Sequence, residues 1–170
     1  MPPDDSLERI KHLRERSGAG VMECKRALEA SDWNVERAEK LLAEWGIAKA
    51  EKKSERVTAQ GVVESYIHAG GRIGVIVEVN CETDFVARTP EFKQLAHELA
   101  MQVAANEMTQ VVSEGDLPPG ADGLVTDVVL LQQPYIRDPS KSVRQLINET
   151  IGKTGENIKV KRFARFELGA

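Results

Sequence analysis

Hydrophobic residues recur at intervals of three and four in three segments of the first 46 residues, a spacing typical of amphipathic helices. These positions are Leu7, Ile10 and Leu13 in the first segment, Val21, Cys24 and Leu28 in the second, and Val35, Ala38, Leu42 and Trp45 in the third. Ser6 and either Asp32 or Asn34 are suitable N-caps, and Gly46 is a suitable C-terminal stop. The pattern therefore predicts a three-helix module over residues 1–46.

The segment at residues 47–56, IAKAEKKSER, is dominated by charged side chains and offers almost nothing to bury. Such a composition is typical of a solvated connection between folded units. We predict a loosely held linker here, whether or not it is helical, and a second folded unit that begins at Val57.

From Val57 onward the pattern becomes typical of β-strands. The segments VVESYIH (62–68) and RIGVIVEVN (72–80) flank an Ala-Gly-Gly sequence at 69–71, which predicts a β-hairpin. The run GVIVEV in the second segment is almost continuously apolar. A strand buried on that scale is expected in the centre of its sheet.

A long amphipathic helix is predicted after Thr89 and Pro90, which form a suitable N-cap and first-turn pair. Its apolar positions are Phe92, Leu95, Ala96, Leu99, Ala100, Val103 and Ala104. After a loop at 113–123, TDVVLLQQPYI predicts a strand that ends near Pro134, SVRQLINETIG a short helix, and NIKVKRFARFEL a closing strand. This order predicts an α+β core domain over residues 57–170, in which a mostly antiparallel sheet has helices packed on one face.

The composition is that of a globular protein with an aliphatic core, since 41% of the 170 residues are hydrophobic, 29% are charged and only 5% are aromatic. The net charge of -4 disfavours a role in wrapping a nucleic-acid backbone. No apolar run approaches the ~18 residues of a membrane span, and the N-terminal MPPDDSLERI lacks the apolar region of a signal peptide. We expect a cytoplasmic protein without direct contacts to membrane or nucleic acid.

The residue types that carry chemistry do not converge in this sequence. Cys24 and Cys81 form no CxxC pair and the histidines are scattered, so we expect two reduced cysteines and no metal. GKT at 152–154 resembles the end of a phosphate-binding loop, but Ile147 stands where that loop requires glycine. No nucleophile has a local partner base. We therefore expect neither an enzyme nor a bound cofactor.

The stretch KVKRFARF, residues 159–166, is the part of the chain that favours RNA binding. On strict alternation one strand face carries Lys159, Lys161, Phe163 and Arg165. The opposite face carries Ile158, Val160, Ala164 and Phe166. The first face could neutralise and stack single-stranded RNA, so an RNA-binding module is the alternative function. The simpler interpretation is a terminal strand with a solvated basic face and the second set inward.

The stretch NCETDFVART, residues 80–89, places Phe85 beside Asp84 in an otherwise polar turn after the predicted central strand. The residue pattern leaves two interpretations open. Phe85 is either an exposed projection that contacts a partner or a core residue at the start of the next helix. In the second case Asp84 is merely the N-cap of that helix.

Three stretches of the chain resemble one protein family: LRERSGAGVMECKRALEASDWNVERAEKLL, IGVIVEVNCETDFVAR and GENIKVKRFARFELG. They resemble elongation factor Ts, the guanine-nucleotide exchange factor of the translational GTPase elongation factor Tu. The resemblance implies an N-terminal module similar to ubiquitin-associated domains that docks on the nucleotide domain of the GTPase. The residues implied in this contact are Arg14, Val21, Met22 and Lys25. The resemblance also implies that Thr83, Asp84, Phe85 and Val86 disturb the Mg²⁺ site of the GTPase and promote GDP release in translation elongation.

The residue pattern alone allows a different position for Met22. Methionine is common in the cores of helical bundles, so Met22 could be buried within the N-terminal module. Its neighbour Val21 could fill that core instead, which would leave Met22 free to contact a partner.

Several departures from the family pattern change the expectation. The chain has room for one core lobe where many members carry two, so we expect a homodimer that pairs through its terminal strands. Ala164 stands where some short members have a cysteine that links the subunits, so this dimer would be noncovalent. Gln102 replaces a histidine implied to touch the partner, which puts that contact in doubt. The loop at 106–123 is also shorter than the family pattern.

Overall fold

The computed structural model describes residues 3–170 and confirms the predicted α+β fold. The helices are α1 (Ser6–Ser17), α2 (Val21–Ala30), α3 (Val35–Lys53), α4 (Asp84–Ala87), α5 (Pro90–Ala105), α6 (Val125–Val128) and α7 (Val143–Thr154). The strands are β1 (Gln60–Ile67), β2 (Ile73–Cys81), β3 (Pro134–Tyr135), β4 (Asp138–Ser142) and β5 (Ile158–Glu167). Single turns of 3-10 helix lie at Glu114–Asp116 and Leu130–Gln132.

Helices α1, α2 and α3 form the predicted three-helix module around a small core of their own. The buried residues of this core are Leu13, Cys24, Ala27, Leu28 and Ala38. Asn34 caps α3, because its side chain accepts a hydrogen bond from the N–H of Arg37 at 2.9 Å. Ser6 is the first residue of α1 and not its cap, and Gly18 ends that helix in a left-handed conformation with φ of 66°.

Helix α3 does not end at Gly46, contrary to the prediction, but continues to Lys53. Ala50 is buried in the larger core of the protein, because this part of α3 packs along α7. Lys49 also pairs with Glu23 of α2. A glycine inside a helix costs roughly 1 kcal/mol, and these long-range contacts offset that cost. Most of the segment predicted to be a loose linker is therefore the packed end of a helix.

The larger core lies between the sheet and helices α5 and α7. Helix α3 contributes Ala38 to the N-terminal core and Ala50 to the larger one, so a single helix joins the two clusters. The division into residues 1–46, 47–56 and 57–170 as separate units stays a prediction.

The sheet has three antiparallel strands in the order β1-β2-β5, so β2 is central as predicted. Strands β1 and β2 form the predicted hairpin. Alternate residues of β2 point into the core, namely Val75, Val77, Val79 and Cys81. Helix α5 covers this face of the sheet, and α7 packs beside it, while the opposite face is open to solvent.

The prediction that TDVVLLQQPYI forms a strand is wrong. Most of this segment forms α6 and a 3-10 turn, and only two residues enter β3, which pairs with β4. The side chain of Gln133 is buried and donates to Thr109 Oγ1 and to the carbonyl of Asp127, both at 2.7 Å. A short apolar run does not by itself distinguish a strand from buried turns. Tertiary hydrogen bonds stabilise the turns here.

Strand β5 contains a β-bulge opposite the middle of β2. Glu78 pairs with Arg162, but the next residue, Val79, pairs with Val160, so Lys161 is the extra residue. A bulge reverses which side chains face the core on its two sides. Strict alternation, on which the predictions for this strand depended, therefore fails here.

The residues beyond the bulge face opposite to the prediction. Phe163 packs against the larger core and Arg165 is mostly buried beside it, whereas Ala164 and Phe166 face solvent. The basic and aromatic face on which the alternative of RNA binding depended therefore does not form. The simpler interpretation of this strand was also wrong about Ala164 and Phe166.

Candidate functional site

The turn that follows the central strand projects a phenyl ring into solvent. The chain leaves β2 at Cys81 and enters α4, and the ring of Phe85 on that helix is 79% exposed. Thr83 is the N-cap of α4, with its Oγ1 accepting from the N–H of Val86 at 3.4 Å. The interpretation of Phe85 as a core residue with Asp84 as the cap is therefore wrong.

The opposite side of this turn is attached to the core. Ala87 is buried and Val86 packs against the larger core. The thiol of Cys81 is buried and donates to the carbonyl of Thr83 at 3.2 Å. Burial, together with the negative charge of nearby Glu156, raises the pKa of this thiol to about 11, so it stays protonated and can donate. The turn thus has a fixed inner side and an outer side that carries Phe85.

Asp84 lies on the outer side of the turn next to Phe85. Its carboxylate pairs at 2.8 Å with Arg88, the residue that follows α4, and the side chains of Asp84 and Arg88 are 47% and 77% exposed. An ion pair in water contributes at most about 1 kcal/mol and exchanges readily. Asp84 is therefore available to form a different contact when a partner approaches.

Glu156 is the residue of this site that the sequence analysis missed. Its carboxylate accepts hydrogen bonds from the N–H groups of Glu82 and Thr83 and from the hydroxyl of Thr83. No local pattern indicates this contact, because the partners are more than seventy residues apart. The residue does belong to GENIKVKRFARFELG, one of the stretches that carry the family resemblance.

The four predicted contact residues of the N-terminal module lie around the connection from α1 to α2. Met22 is 66% exposed, so its interpretation as a core side chain is wrong. Val21, the first residue of α2, is also exposed, contrary to the prediction that it faces the core. Arg14 and Lys25 are exposed, and the Lys25 ammonium lies 3.8 Å from the carboxylate of Glu29. These four residues and the turn with Phe85 belong to different parts of the fold.

Within residues 3–170, no group of three His, Cys, Asp or Glu side chains is arranged to hold a metal ion. Cys24 and Cys81 are both free thiols and both are buried in separate cores. In the same described residues, no helix combines the length and the hydrophobicity that crossing a bilayer requires.

The sequence matches the family model described as elongation factor Ts over residues 36–121 and 120–170. It is 46% identical to the elongation factor Ts of Methylacidiphilum infernorum over 192 aligned positions, which cover 96% of this chain and 95% of that protein. Identity is 47% to the protein of the same name from Syntrophomonas wolfei, with 96% and 90% covered. The chain belongs to the elongation factor Ts family. It is therefore a translation elongation factor.

The alignment with a relative is relevant to the length of the loop at residues 106–123. The alignment with the Methylacidiphilum infernorum protein has 192 positions, more than the 170 residues of this chain, so that relative has residues that this chain lacks. The two stretches that match the family meet at residues 120–121, within the loop at 106–123. A shorter loop than in other elongation factor Ts proteins stays the prediction at this place.

Gln102, the position where a histidine was implied to touch the partner of elongation factor Ts, is buried in this structure. Its amide donates to Gln133 Oε1 at 3.0 Å and to the carbonyl of Pro134 at 3.2 Å, and its oxygen accepts from the N–H of Ile136 at 2.9 Å. The side chain therefore attaches the β3–β4 hairpin to α5. A direct contact between Gln102 and a partner would require these hydrogen bonds to break.

Proposed function

We propose that this chain binds elongation factor Tu with GDP bound and accelerates the release of GDP. The observation that supports this most strongly is the exposed phenyl ring of Phe85 on a turn whose other side is attached to the core. Membership of the elongation factor Ts family indicates the partner. The chain would act without covalent chemistry, as an exchange factor and not as an enzyme.

Phe85 and its neighbours would act as a wedge at the nucleotide site of the partner. A packed crevice switches between discrete arrangements when a rigid group enters it. In such a GTPase, Mg²⁺ bridges the protein and the phosphates of GDP, so displacing that ion weakens nucleotide binding. Asp84, which sits beside the ring, would compete for donors or alter the field near the ion. Thermodynamic linkage then requires GDP to weaken the binding of this chain to the GTPase as many-fold as this chain weakens the binding of GDP.

The N-terminal module would supply a second contact surface through Arg14, Val21, Met22 and Lys25. Two exposed apolar side chains flanked by cations form a surface suited to a partner that offers an apolar groove with an acidic rim. Binding energy from this surface would hold the factor on the GTPase, whereas the turn with Phe85 would act on the nucleotide. The two surfaces therefore affect different parameters of the exchange reaction.

The direct test is the release of a fluorescent GDP analogue from elongation factor Tu with and without this chain. We expect release to accelerate with increasing concentration of the chain and then to reach a maximum. An equal concentration of bovine serum albumin controls for nonspecific effects. Release that is the same with and without the chain would overturn the proposed function.

Replacing Met22 by alanine should weaken binding to elongation factor Tu with little effect on the maximal release rate. Truncating an exposed contact residue of this kind costs about 1 kcal/mol, which raises the half-saturating concentration about fivefold. The titration above measures both quantities. Leu7→Ala, which truncates an exposed residue of the same module outside the proposed surface, is the matched control. An unchanged half-saturating concentration for Met22→Ala would exclude Met22 from the contact.

We further propose that two copies of the chain form a noncovalent homodimer through the open face of the sheet. This face carries exposed apolar side chains from all three strands, namely Val63, Ile67, Ile76 and Phe166. A contiguous apolar surface of this kind is typical of a protein interface. Glu78 and Arg162 pair at 2.7 Å on the same face. In a two-fold contact, Glu78 of each copy would meet Arg162 of the other copy. Strands β1 and β5 are the edges of this sheet, and the pairing of two copies through these terminal strands stays a prediction from the sequence.

Replacing Ile76, at the centre of this face, by glutamate should convert the dimer to a monomer. Desolvation of a carboxylate in an apolar interface costs several kcal/mol, which exceeds what one aliphatic contact contributes. Sedimentation equilibrium should give twice 18.8 kDa for the unaltered chain and 18.8 kDa for the variant. Val57→Glu, at an exposed position before β1, is the control. A mass of 18.8 kDa for the unaltered chain would contradict the homodimer.

A further inference from the structure

The carboxylate of Glu156 lies directly against the backbone of the turn that carries Phe85. One carboxylate oxygen accepts from the N–H of Glu82 at 3.1 Å and from the N–H of Thr83 at 3.0 Å. The other accepts from the Thr83 hydroxyl at 2.6 Å. Three hydrogen bonds to one carboxylate are charge-assisted and fix the position of both residues that precede α4.

The Thr83 hydroxyl connects Glu156 to helix α4. It donates to Glu156 and accepts from the N–H of Val86, so its orientation is determined from both sides. The N-cap of a helix determines where the helix starts and in which direction it leaves. Because α4 has a single turn, the direction in which Phe85 projects depends on this cap.

The chain around Glu156 is itself held in place. Gly155 ends α7 with a left-handed φ of 77°, which reverses the chain and brings Glu156 under the turn. The next residue, Asn157, is buried, and its N–H donates to the carboxylate of Glu82 at 2.7 Å. The Asn157 amide also donates to the carbonyl of Arg56 at 2.9 Å, beyond the end of α3. Residues 82–83 therefore donate hydrogen bonds to Glu156, and Asn157 donates one back to Glu82.

We propose that Glu156 is a positioning residue for nucleotide exchange. It does not act on the GTPase itself but holds Thr83 and α4 so that Phe85 projects in the orientation that the partner requires. This role rests on the proposed exchange function. It assigns to the segment between α7 and β5 a purpose beyond connecting them.

The test compares Glu156→Ala with Glu156→Gln in the GDP release assay. Alanine removes all three hydrogen bonds, so we expect the maximal release rate to fall about tenfold or more, since small misplacements of an acting group reduce rates this strongly. The half-saturating concentration should change less than about threefold, because the N-terminal surface is intact. Glutamine should restore most of the rate, because its oxygen can accept from both N–H groups and its amide can donate to Thr83 Oγ1.

A second measurement reports how well the turn is ordered in the absence of the GTPase. Amide hydrogen exchange of Glu82, Thr83 and Val86, followed by NMR, should be faster in Glu156→Ala than in the unaltered chain and close to normal in Glu156→Gln. Glu107→Ala is the control, because Glu107 is exposed and lies beyond the other end of α5. It should leave both the release rate and amide exchange unchanged.

The outcomes separate this role from the proposed function. If the unaltered chain does not accelerate GDP release, the exchange function fails and the positioning role fails with it. If the unaltered chain is active and Glu156→Ala keeps its maximal rate, only the positioning role is overturned. It is also overturned if Glu156→Gln is as slow as Glu156→Ala, or if alanine raises only the half-saturating concentration. Should Glu156→Ala not fold, Glu156→Asp takes its place in the same comparison, because a carboxylate one methylene shorter cannot reach all three donors of the turn.

Discussion

Replacing Phe85 by alanine should leave the chain folded and remove most of its ability to accelerate GDP release. The ring is 79% exposed, so its loss removes little buried area and creates no cavity. In a complex the same ring would become a buried aromatic anchor, a type of contact that typically contributes about 2 kcal/mol or more. If that energy is used in displacing GDP, the release rate falls about 30-fold or more.

The measurement is the maximal rate of GDP release together with the thermal unfolding midpoint. Val57→Ala, which shortens another highly exposed hydrophobic residue outside the proposed surfaces, should change neither quantity. A Phe85→Ala variant that releases GDP as fast as the unaltered chain would remove the wedge from the mechanism. A variant that loses activity because it unfolds would instead indicate that the ring stabilises the fold.

Replacing Phe92 by alanine should have the opposite profile, with a large loss of stability. Phe92 is fully buried in the first turn of α5, and it is the largest of the fully buried side chains. Truncation of a core phenylalanine typically lowers the free energy of unfolding by about 3–5 kcal/mol. A domain of ordinary stability has about 5–15 kcal/mol in total, so this variant would be close to unfolding at physiological temperature.

Urea unfolding followed by circular dichroism measures this loss. Phe85→Ala is the matched control, because the same atoms are removed from the same kind of side chain only seven positions earlier on the surface. The difference between the two variants isolates burial as the cause. A loss below about 1 kcal/mol for Phe92→Ala would contradict the packing described for α5.

Local signals in the sequence were sufficient for the elements whose ends are marked by short-range chemistry. Helix α5 begins at Pro90 because Thr89 accepts a hydrogen bond from the N–H of Phe92 at 3.3 Å, which is the predicted cap. Helix α7 begins after Ser142, the first residue of the predicted segment SVRQLINETIG, because the side chain of Ser142 accepts from the N–H of Gln145 at 3.3 Å. Caps and turns depend on a few neighbouring residues, so their signals can be read without the fold.

The predictions failed where distant contacts outweighed a local preference. Gly46 lies inside α3 because that helix packs against α7, and the extra residue Lys161 reverses the facing of the second half of β5. The apolar segment before Pro134 forms turns because its polar groups form hydrogen bonds with side chains and backbone of residues 109–112. In each case the deciding partner lies far away in sequence, where periodicity carries no information.

In the candidate site, too, some features were predicted from the sequence and others were decided by contacts between distant segments. Sequence resemblance indicated the turn from Thr83 to Val86, but the residue pattern left two interpretations of Phe85 open. Only the fold excluded the core interpretation, because the exposure of a side chain depends on what packs over it. The contribution of Glu156 was likewise invisible beforehand, since it depends on the junction of α7 and β5 reaching the end of β2.

The amino-acid sequence by itself therefore determined the α+β class, the three N-terminal helices, the hairpin with its central strand and the family. Hydrophobic periodicity, caps and glycine turns act over a few residues, and they are written directly in the order of the chain. The tertiary structure alone decided that α3 continues past Gly46, that Phe85 and Met22 point into solvent, and that Glu156 supports the turn. These properties arise from contacts between segments that are distant in sequence, and such contacts exist only once the chain has folded.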